Sequence, residues 1–147
     1  MCIRDSRVFR ALTQVEAVCY IQPFLDHHGF DLRLVVLGQR VFGIRRRNPD
    51  DWRTNVSRGA TPEPMDLDPA LEDLARRATR AVGAEVAGID VLPARNGEQY
   101  VLEVNAVPGW RALSRALGID FAAELLAFVA ERADRRSSTD PPPETKL

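Results

Sequence analysis

The chain has 147 residues, 45% of them hydrophobic, which suffices for one ordinary domain with a buried core. A net charge of −1 supplies no global field toward nucleic acid or a membrane surface, and no apolar run is long enough to span a bilayer or act as a secretory signal. Two cysteines, Cys2 and Cys19, build no disulfide framework, so a reducing, cytoplasmic setting is the expectation.

Residues 1–6, MCIRDS, show no periodicity, and Val8, Leu12 and Val15 are spaced for one face of a short helix over 7–17. Val18 to Leu25 reads as a buried strand, with Cys19 a small buried thiol inside it. It runs into a polar loop whose adjacent His27 and His28 read as exposed loop residues rather than metal ligands. Asp31–Leu37 and Arg40–Arg46 form a hairpin about Gly38-Gln39; Asp31 and Arg33 share one face, Leu32 and Leu34 the other. The stretch Arg45–Gly59 is polar, contains Asn48-Pro49 and should be a loop. Its arginines, Arg45, Arg46, Arg47, Arg53 and Arg58, do not suit nucleic acid well, because only Trp52 could stack a base and Asp50-Asp51 oppose it. They suit a polyphosphate, which guanidinium forks bind bidentately. The chain's only lysine is Lys146, so no lysine is placed to hold a phosphate.

Thr61–Asp68, with two prolines, reads as a linker. Pro69–Val82 is the clearest helix: Asp68 caps it, Pro69 occupies its first turn and Gly83 ends it. Leu67, Leu71, Leu74, Ala78 and Val82 make its apolar stripe, with Arg76, Arg77 and Arg80 outward. Trp110–Leu117 gives a short helix ended by Gly118, and Asp120 caps a last helix whose Phe121, Leu125, Phe128 and Val129 turn inward. From Asp134 onward the composition is that of a disordered tail. The order of elements predicts an α+β fold, an antiparallel sheet backed by helices.

Between these helices lies GIDVLPARNGEQYVLEVNAVPG, from Gly88 to Gly109, which reads as two strands joined at Asn96-Gly97. Residues i and i+2 of a strand share a face, so Glu103 and Asn105 point the same way, and the hairpin brings Asp90 level with Glu103. Carboxylates gathered among apolar neighbours repel unless a cation lies between them, and hard oxygen donors in this number suit magnesium. A solvated strand face is the plainer alternative, but it would not need Ile89, Val91, Leu92, Val101 and Val104 around the acidic groups.

GIDVL and VLEVNAVPG, in order after YIQPFLDHHGFDLRLVVLGQRV and RRRNPDDWRTNVSRG, resemble the ATP-grasp superfamily, specifically its RimK-type carboxylate–amine (glutamate) ligases, over roughly Val18 to Ala130. The resemblance implies the C-terminal subdomain of an ATP-grasp fold, in which ATP lies between two α+β subdomains. It implies that Asp90, Glu103 and Asn105 hold magnesium, or manganese in its place. Gln22, Pro23 and Phe24 would form the hinge against adenine, with Leu102 on the other side of the ring. Asp31 would bind the ribose hydroxyls, and Arg53, Thr54 and Asn55 would reach ATP. The implied reaction activates a carboxylate as an acylphosphate, which an amino-acid amine, glutamate by resemblance, attacks to form an amide. Where several ATP-grasp ligases carry an arginine this chain has Gly88, so the catalytic guanidinium is expected from Arg53, with Arg33 behind it. Arg46, Arg47 and Arg58 are expected at the open end of the cleft, with Arg53 deeper, favouring an acidic acceptor.

The family's N-terminal domain and lysine-bearing glycine-rich loop have no counterpart in the sequence. The expected division is a truncated or extraneous segment over 1–17, the ATP-grasp subdomain over 18–133 and a disordered tail over 134–147. Expected partners are ATP, an amino acid with a carboxylate substrate, the missing N-terminal half and a second copy of the chain, with no nucleic acid and no membrane. Such a chain is not expected to turn over alone. The alternative is a non-catalytic metal- or nucleotide-binding module, or an inactive gene fragment, that scaffolds a partner over an uncovered apolar sheet face.

Overall fold

A computed structural model describes residues 3–139, with side chains over 7–135. Five antiparallel strands, β1 (Phe30–Leu37), β2 (Arg40–Arg47), β3 (Thr61–Pro64), β4 (Val86–Pro93) and β5 (Gln99–Asn105), form one sheet in the order β3-β2-β1-β4-β5. Helix α1 (Ile3–Gln14) precedes it, α2 (Pro69–Ala81) connects β3 to β4, and α3 (Arg111–Leu117) and α4 (Phe121–Thr139) follow β5. This is the α+β architecture the element order predicts, with helices on both faces of the sheet.

Strand alternation separates two cores. Leu32, Leu34 and Val36 of β1 and Ala87, Ile89 and Val91 of β4 pack against Leu71 and Ala75 of α2. Helix α2 starts where its cap dictates: the Asp68 carboxylate accepts the Leu71 N–H at 2.8 Å. On the opposite face Val35, Leu37 and Ile44 pack with Leu113 of α3 and Phe121 of α4. Each such fully buried aliphatic or aromatic side chain contributes about 1.5–3 kcal/mol relative to exposure. Helix α4 presses on the β1–β2 turn so closely that a Cβ on Gly38, whose φ is +62°, would stand 2.6 Å from the Phe128 ring. The second core covers only part of its face. Toward the other end of the same face the inward residues become Asp31, Arg33, Arg46 and Asp90.

Several sequence expectations are corrected here. Val18–Leu25 is not a strand but a segment without regular structure and mostly exposed, with Val18, Tyr20 and Ile21 all exposed, and Cys19 exposed with them. The sheet edges are β3 and β5, and neither pairs with this run, so it has no ladder and no cover among the described residues. Thr61–Pro64 is strand β3 rather than linker; prolines are tolerated there because an edge strand leaves backbone positions that need no donor. On α2 the buried positions are Leu71, Ala75 and Thr79, while Val82 is exposed; on α4 Val129 is exposed. Helix α1 begins at Ile3, within the stretch that shows no periodicity. Helix α4 continues to Thr139, past the expected start of a disordered tail. No proline interrupts it before Pro141, and Arg132–Glu85 and Arg135–Glu131 ion pairs lie along it. Residues 140–147 of the expected tail lie outside the described residues.

Candidate active-site face

The two-residue turn at Gly38-Gln39 fixes the β1–β2 register and sets Asp31 opposite Arg46. The β1–β4 register sets Arg33 opposite Asp90, and β4–β5 sets Asp90 opposite Glu103 and Gly88 opposite Asn105. Alternation puts all these side chains on the face that α2 does not cover. Asp90, Glu103 and Asn105 therefore share one face and neighbouring rungs of the ladder, as the hairpin reading expects.

Four of these groups form a buried chain of alternating charge. Arg46 donates through Nε and Nη2 to the two Asp31 oxygens at 2.7 and 2.5 Å, and through Nη2 to Asp90 Oδ2 at 2.8 Å. Arg33 donates through Nη1 to Asp90 Oδ1 at 2.6 Å. Burial alone pulls the Arg46 pKa down, but hydrogen bonding and charge from Asp31, then Asp90, outweigh it, so the guanidinium is held in its charged form. A lone carboxylate or guanidinium in this position would be expensive, and each of the four is kept by its neighbours. The Arg33 guanidinium lies over Gly88: a Cβ there would stand 3.1 Å from Arg33 Cζ and 2.7 Å from Pro108 Cβ. Position 88 is thus glycine because Arg33 and Pro108 fill the space a side chain would take.

The expectation that Arg46 faces the open end of a cleft, with Arg53 deeper, is reversed. Arg46 is 6% exposed, whereas Arg53 lies on the loop after β2, paired to Asp51 at 2.6 Å with a half-exposed guanidinium. Side-chain and backbone hydrogen bonds from Arg53 push Asp51 down to about 2, and Asp51 in turn raises the Arg53 pKa. Arg47 reaches Glu63 at 3.4 Å, and the Arg45 guanidinium lies 4.8 Å from the Phe30 ring centroid. Arg46 is the residue of this face hardest to see in sequence, hidden among adjacent arginines. The hairpin register was the signal: it pairs position 46 with Asp31 and points positions 45 and 47 to the other face.

The remaining expected site residues take up varied positions. Gln22, Pro23 and Phe24 lie in the exposed segment before β1, where the Phe24 ring meets Trp52 edge-on at 5.8 Å. Together with His27 and Asp51 these two rings line a cavity of about 300 Å³. Thr54 is buried and Asn55 precedes a 3-10 turn, Val56–Arg58. Leu102 is the extra residue of a β-bulge between Glu103 and Val101, unpaired and half-exposed. His27 Nδ1 accepts the Gly29 N–H at 3.2 Å, and no cluster of three His, Cys, Asp or Glu suited to a metal occurs among the described residues.

The donor set on this face nevertheless fits a hard cation. Asp90 uses two of the roughly four lone-pair directions a carboxylate offers. Glu103 is exposed and has no partner among the described residues, and the Asn105 amide oxygen is engaged only by the Val107 N–H at 2.9 Å. Oxygen-only donors, with one carboxylate free and one shared, match the preference of magnesium for one or two protein carboxylates plus phosphate oxygens and water.

The profile of the RimK-like ATP-grasp domain matches residues 1–129. The chain belongs to the RimK-like ATP-grasp family. A probable alpha-L-glutamate ligase of Pasteurella multocida (strain Pm70) is 34% identical over 128 residues, covering 85% of this chain and 41% of the relative. The chain therefore spans less than half the length of that curated relative. Among solved structures, the ATP-grasp ligase PsnB, complexed with a phosphomimetic variant of its minimal precursor, Mg and ADP, superposes with a TM-score of 0.56 at 23% identity over 72% of this chain and 33% of its own. D-alanine–D-alanine ligase from Bacillus anthracis, complexed with ATP, gives 0.55 at 19% identity over 88% and 47%. At these identities the structures speak for the ATP-grasp fold alone. No described helix of this RimK-like chain is long and apolar enough to cross a membrane.

Proposed function

We propose that this chain is the C-terminal catalytic part of an ATP- and magnesium-dependent ligase that joins an amino-acid amine, glutamate in particular, to a carboxylate. The observation that carries the reading is the registered set Asp90, Glu103 and Asn105 on one sheet face of a RimK-like ATP-grasp chain. The glutamate assignment is supported by the name of the curated relative.

In this reading ATP transfers its terminal phosphoryl group to a carboxylate oxygen, releasing ADP and leaving an acylphosphate. The amine attacks the acyl carbon, phosphate leaves, the amine's proton is lost and the amide remains. The protein's work is positioning and charge neutralisation rather than covalent chemistry. Magnesium, held by Asp90, Glu103 and Asn105, would neutralise charge on the phosphates. Arg46 keeps Asp90 and Asp31 in fixed relation, so the end of the site assigned to metal and the end assigned to ribose move as one body. Of the two candidate catalytic arginines, Arg33 is favoured over Arg53. Its guanidinium stands over Gly88 beside Asp90, whereas Arg53 would first have to leave Asp51. Phe24 of the segment before β1 and the bulged Leu102 are assigned to the two sides of the adenine ring, with Gln22 and Pro23 at the hinge and Thr54 and Asn55 toward ATP.

Glu103→Ala tests the assignment. Glu103 is exposed and has no partner among the described residues, so the substitution leaves the fold intact and thermal stability unchanged or slightly raised. Calorimetric titration with magnesium and a non-hydrolysable ATP analogue, in a full-length ligase carrying this chain, is expected to show magnesium-dependent nucleotide binding abolished. Unchanged affinity sinks the metal assignment and with it the reading.

A further inference from the structure

Arginine is abundant in this chain, and many of its guanidinium groups are already paired with carboxylates inside the molecule. Arg33, Arg40, Arg46, Arg47, Arg53, Arg76, Arg77, Arg95 and Arg132 all stand within ion-pair distance of a carboxylate. Arg111 and Arg115, like Arg7, Arg10, Arg45, Arg58 and Arg80, do not: among the described residues neither has an ion-pair partner, and the Arg115 Nε reaches only its own helix, at the Arg111 carbonyl, 3.4 Å away; what sets these two apart is that they line one hollow together. The two lie one turn apart on the outer stripe of α3, with Ser114 between them, while Leu113 on the inner side is buried at 1% exposure. That stripe lines an open hollow of about 590 Å³ between α3 and the start of α4, with Trp110 and Ile119 among its walls.

Its donors are disposed for an anion. The Ser114 hydroxyl oxygen accepts the Phe121 N–H at 3.4 Å, which leaves its own proton free to donate. The one carboxylate at the rim, Asp120, has Oδ1 turned to the Ala123 N–H as the cap of α4. Two unpaired guanidinium forks, a hydroxyl donor, Trp110 in the wall and a single capped carboxylate make a receptor for carboxylate groups, with Asp120 Oδ2 available to an ammonium.

We propose that this hollow binds acidic amino-acid residues through their carboxylates, as an anchoring site separate from the Asp90–Glu103 face. The proposal rests on the ligase reading only for its biological sense, since a ligase that joins glutamate to a carboxylate handles carboxylate-bearing amino acids, free or within a peptide. Those two sources share one chemistry, and competition separates them.

The 147-residue chain itself is titrated against fluorescein-labelled tetraglutamate at low ionic strength, read by anisotropy, with labelled tetraglutamine as the neutral control. The expected result is binding of tetraglutamate only, weakened by salt. Arg111→Glu and Arg115→Glu are each expected to weaken it at least fivefold. Arg80→Glu, on the exposed outer face of α2 with the same change in net charge, is expected to leave it within twofold. All three positions are exposed, so melting temperatures should match the parent and exclude unfolding as the cause. Displacement by unlabelled L-glutamate assigns the site to the free amino acid; displacement by tetraglutamate alone assigns it to an acidic peptide. Equal binding of tetraglutamine, or an Arg80→Glu loss as large as that at Arg111, overturns the proposal. Magnesium-dependent nucleotide binding, measured in parallel in the full-length ligase carrying this chain, keeps the two ideas apart: its persistence while tetraglutamate fails to bind refutes the anchoring site and leaves the ligase reading standing.

Discussion

Replacing Arg46 by Met removes the guanidinium that joins Asp31 to Asp90 while keeping most of the side chain's apolar stem. Asp90 would retain Arg33 at 2.6 Å, but Asp31, 3% exposed, would lose both of its charge-assisted hydrogen bonds at once. Removing one partner of a buried ion pair and leaving the other charge uncompensated costs about 3–5 kcal/mol. Unfolding entropy near 2.1 cal/mol/K per residue gives about 0.3 kcal/mol/K for a chain of this length, so the melting temperature should fall by roughly 10–16 °C. Circular dichroism melts and urea titrations at pH 7 read both quantities. Adding Asp31→Asn removes the stranded charge, so the double variant should regain at least about 1 kcal/mol over Arg46→Met alone, a non-additivity expected of groups in direct contact. A loss below about 1 kcal/mol for Arg46→Met, or a double variant no better than the single, would show that the buried charge chain does not organise this face.

Gly88→Ala should destabilise by about 1–3 kcal/mol, the usual range for overpacking, because its Cβ must displace Pro108 or the Arg33 guanidinium; a neutral result in urea denaturation would mean that Arg33 is not seated over Gly88. The Asp51–Arg53 pair makes a prediction in acid. The carboxyl is lowered from 3.8 to about 2 in the folded state, so the pair's stabilising effect is present above pH 3.8 and is lost as pH falls through 2. The Asp51 carboxyl resonance should titrate with a midpoint near 2 and return toward its ordinary value in Arg53→Gln, whereas a midpoint unmoved by that substitution would break the link.

Local chemistry made much of this molecule legible. Asp68 followed by Pro69 and a 3.6-residue apolar stripe specifies α2 because cap, first turn and buried face all agree. A two-residue turn at Gly38-Gln39 leaves one register, and one register decides which side chains face Asp90. Strand periodicity puts Glu103 and Asn105 on one face, but the register running out from the turn, with Val91 opposite Val101, would set Leu102 opposite Asp90, and only the bulge at Leu102 brings Glu103 to that place. Periodicity does not reveal what covers an apolar run. Val18–Leu25 has the composition of a core strand, yet no sheet edge reaches it, and whether a hydrophobic segment is buried depends on neighbours far away in sequence. Pro62 and Pro64 likewise argued against a strand until their position at a sheet edge removed the objection. The arginines were the least readable residues of all. Arg45, Arg46 and Arg47 are chemically identical and adjacent, yet one lies over Phe30, one is buried between two aspartates and one reaches a half-exposed glutamate. Charge is a property of the residue, but whether that charge is spent or free is decided by partners across the sheet, and only the assembled strands supply them.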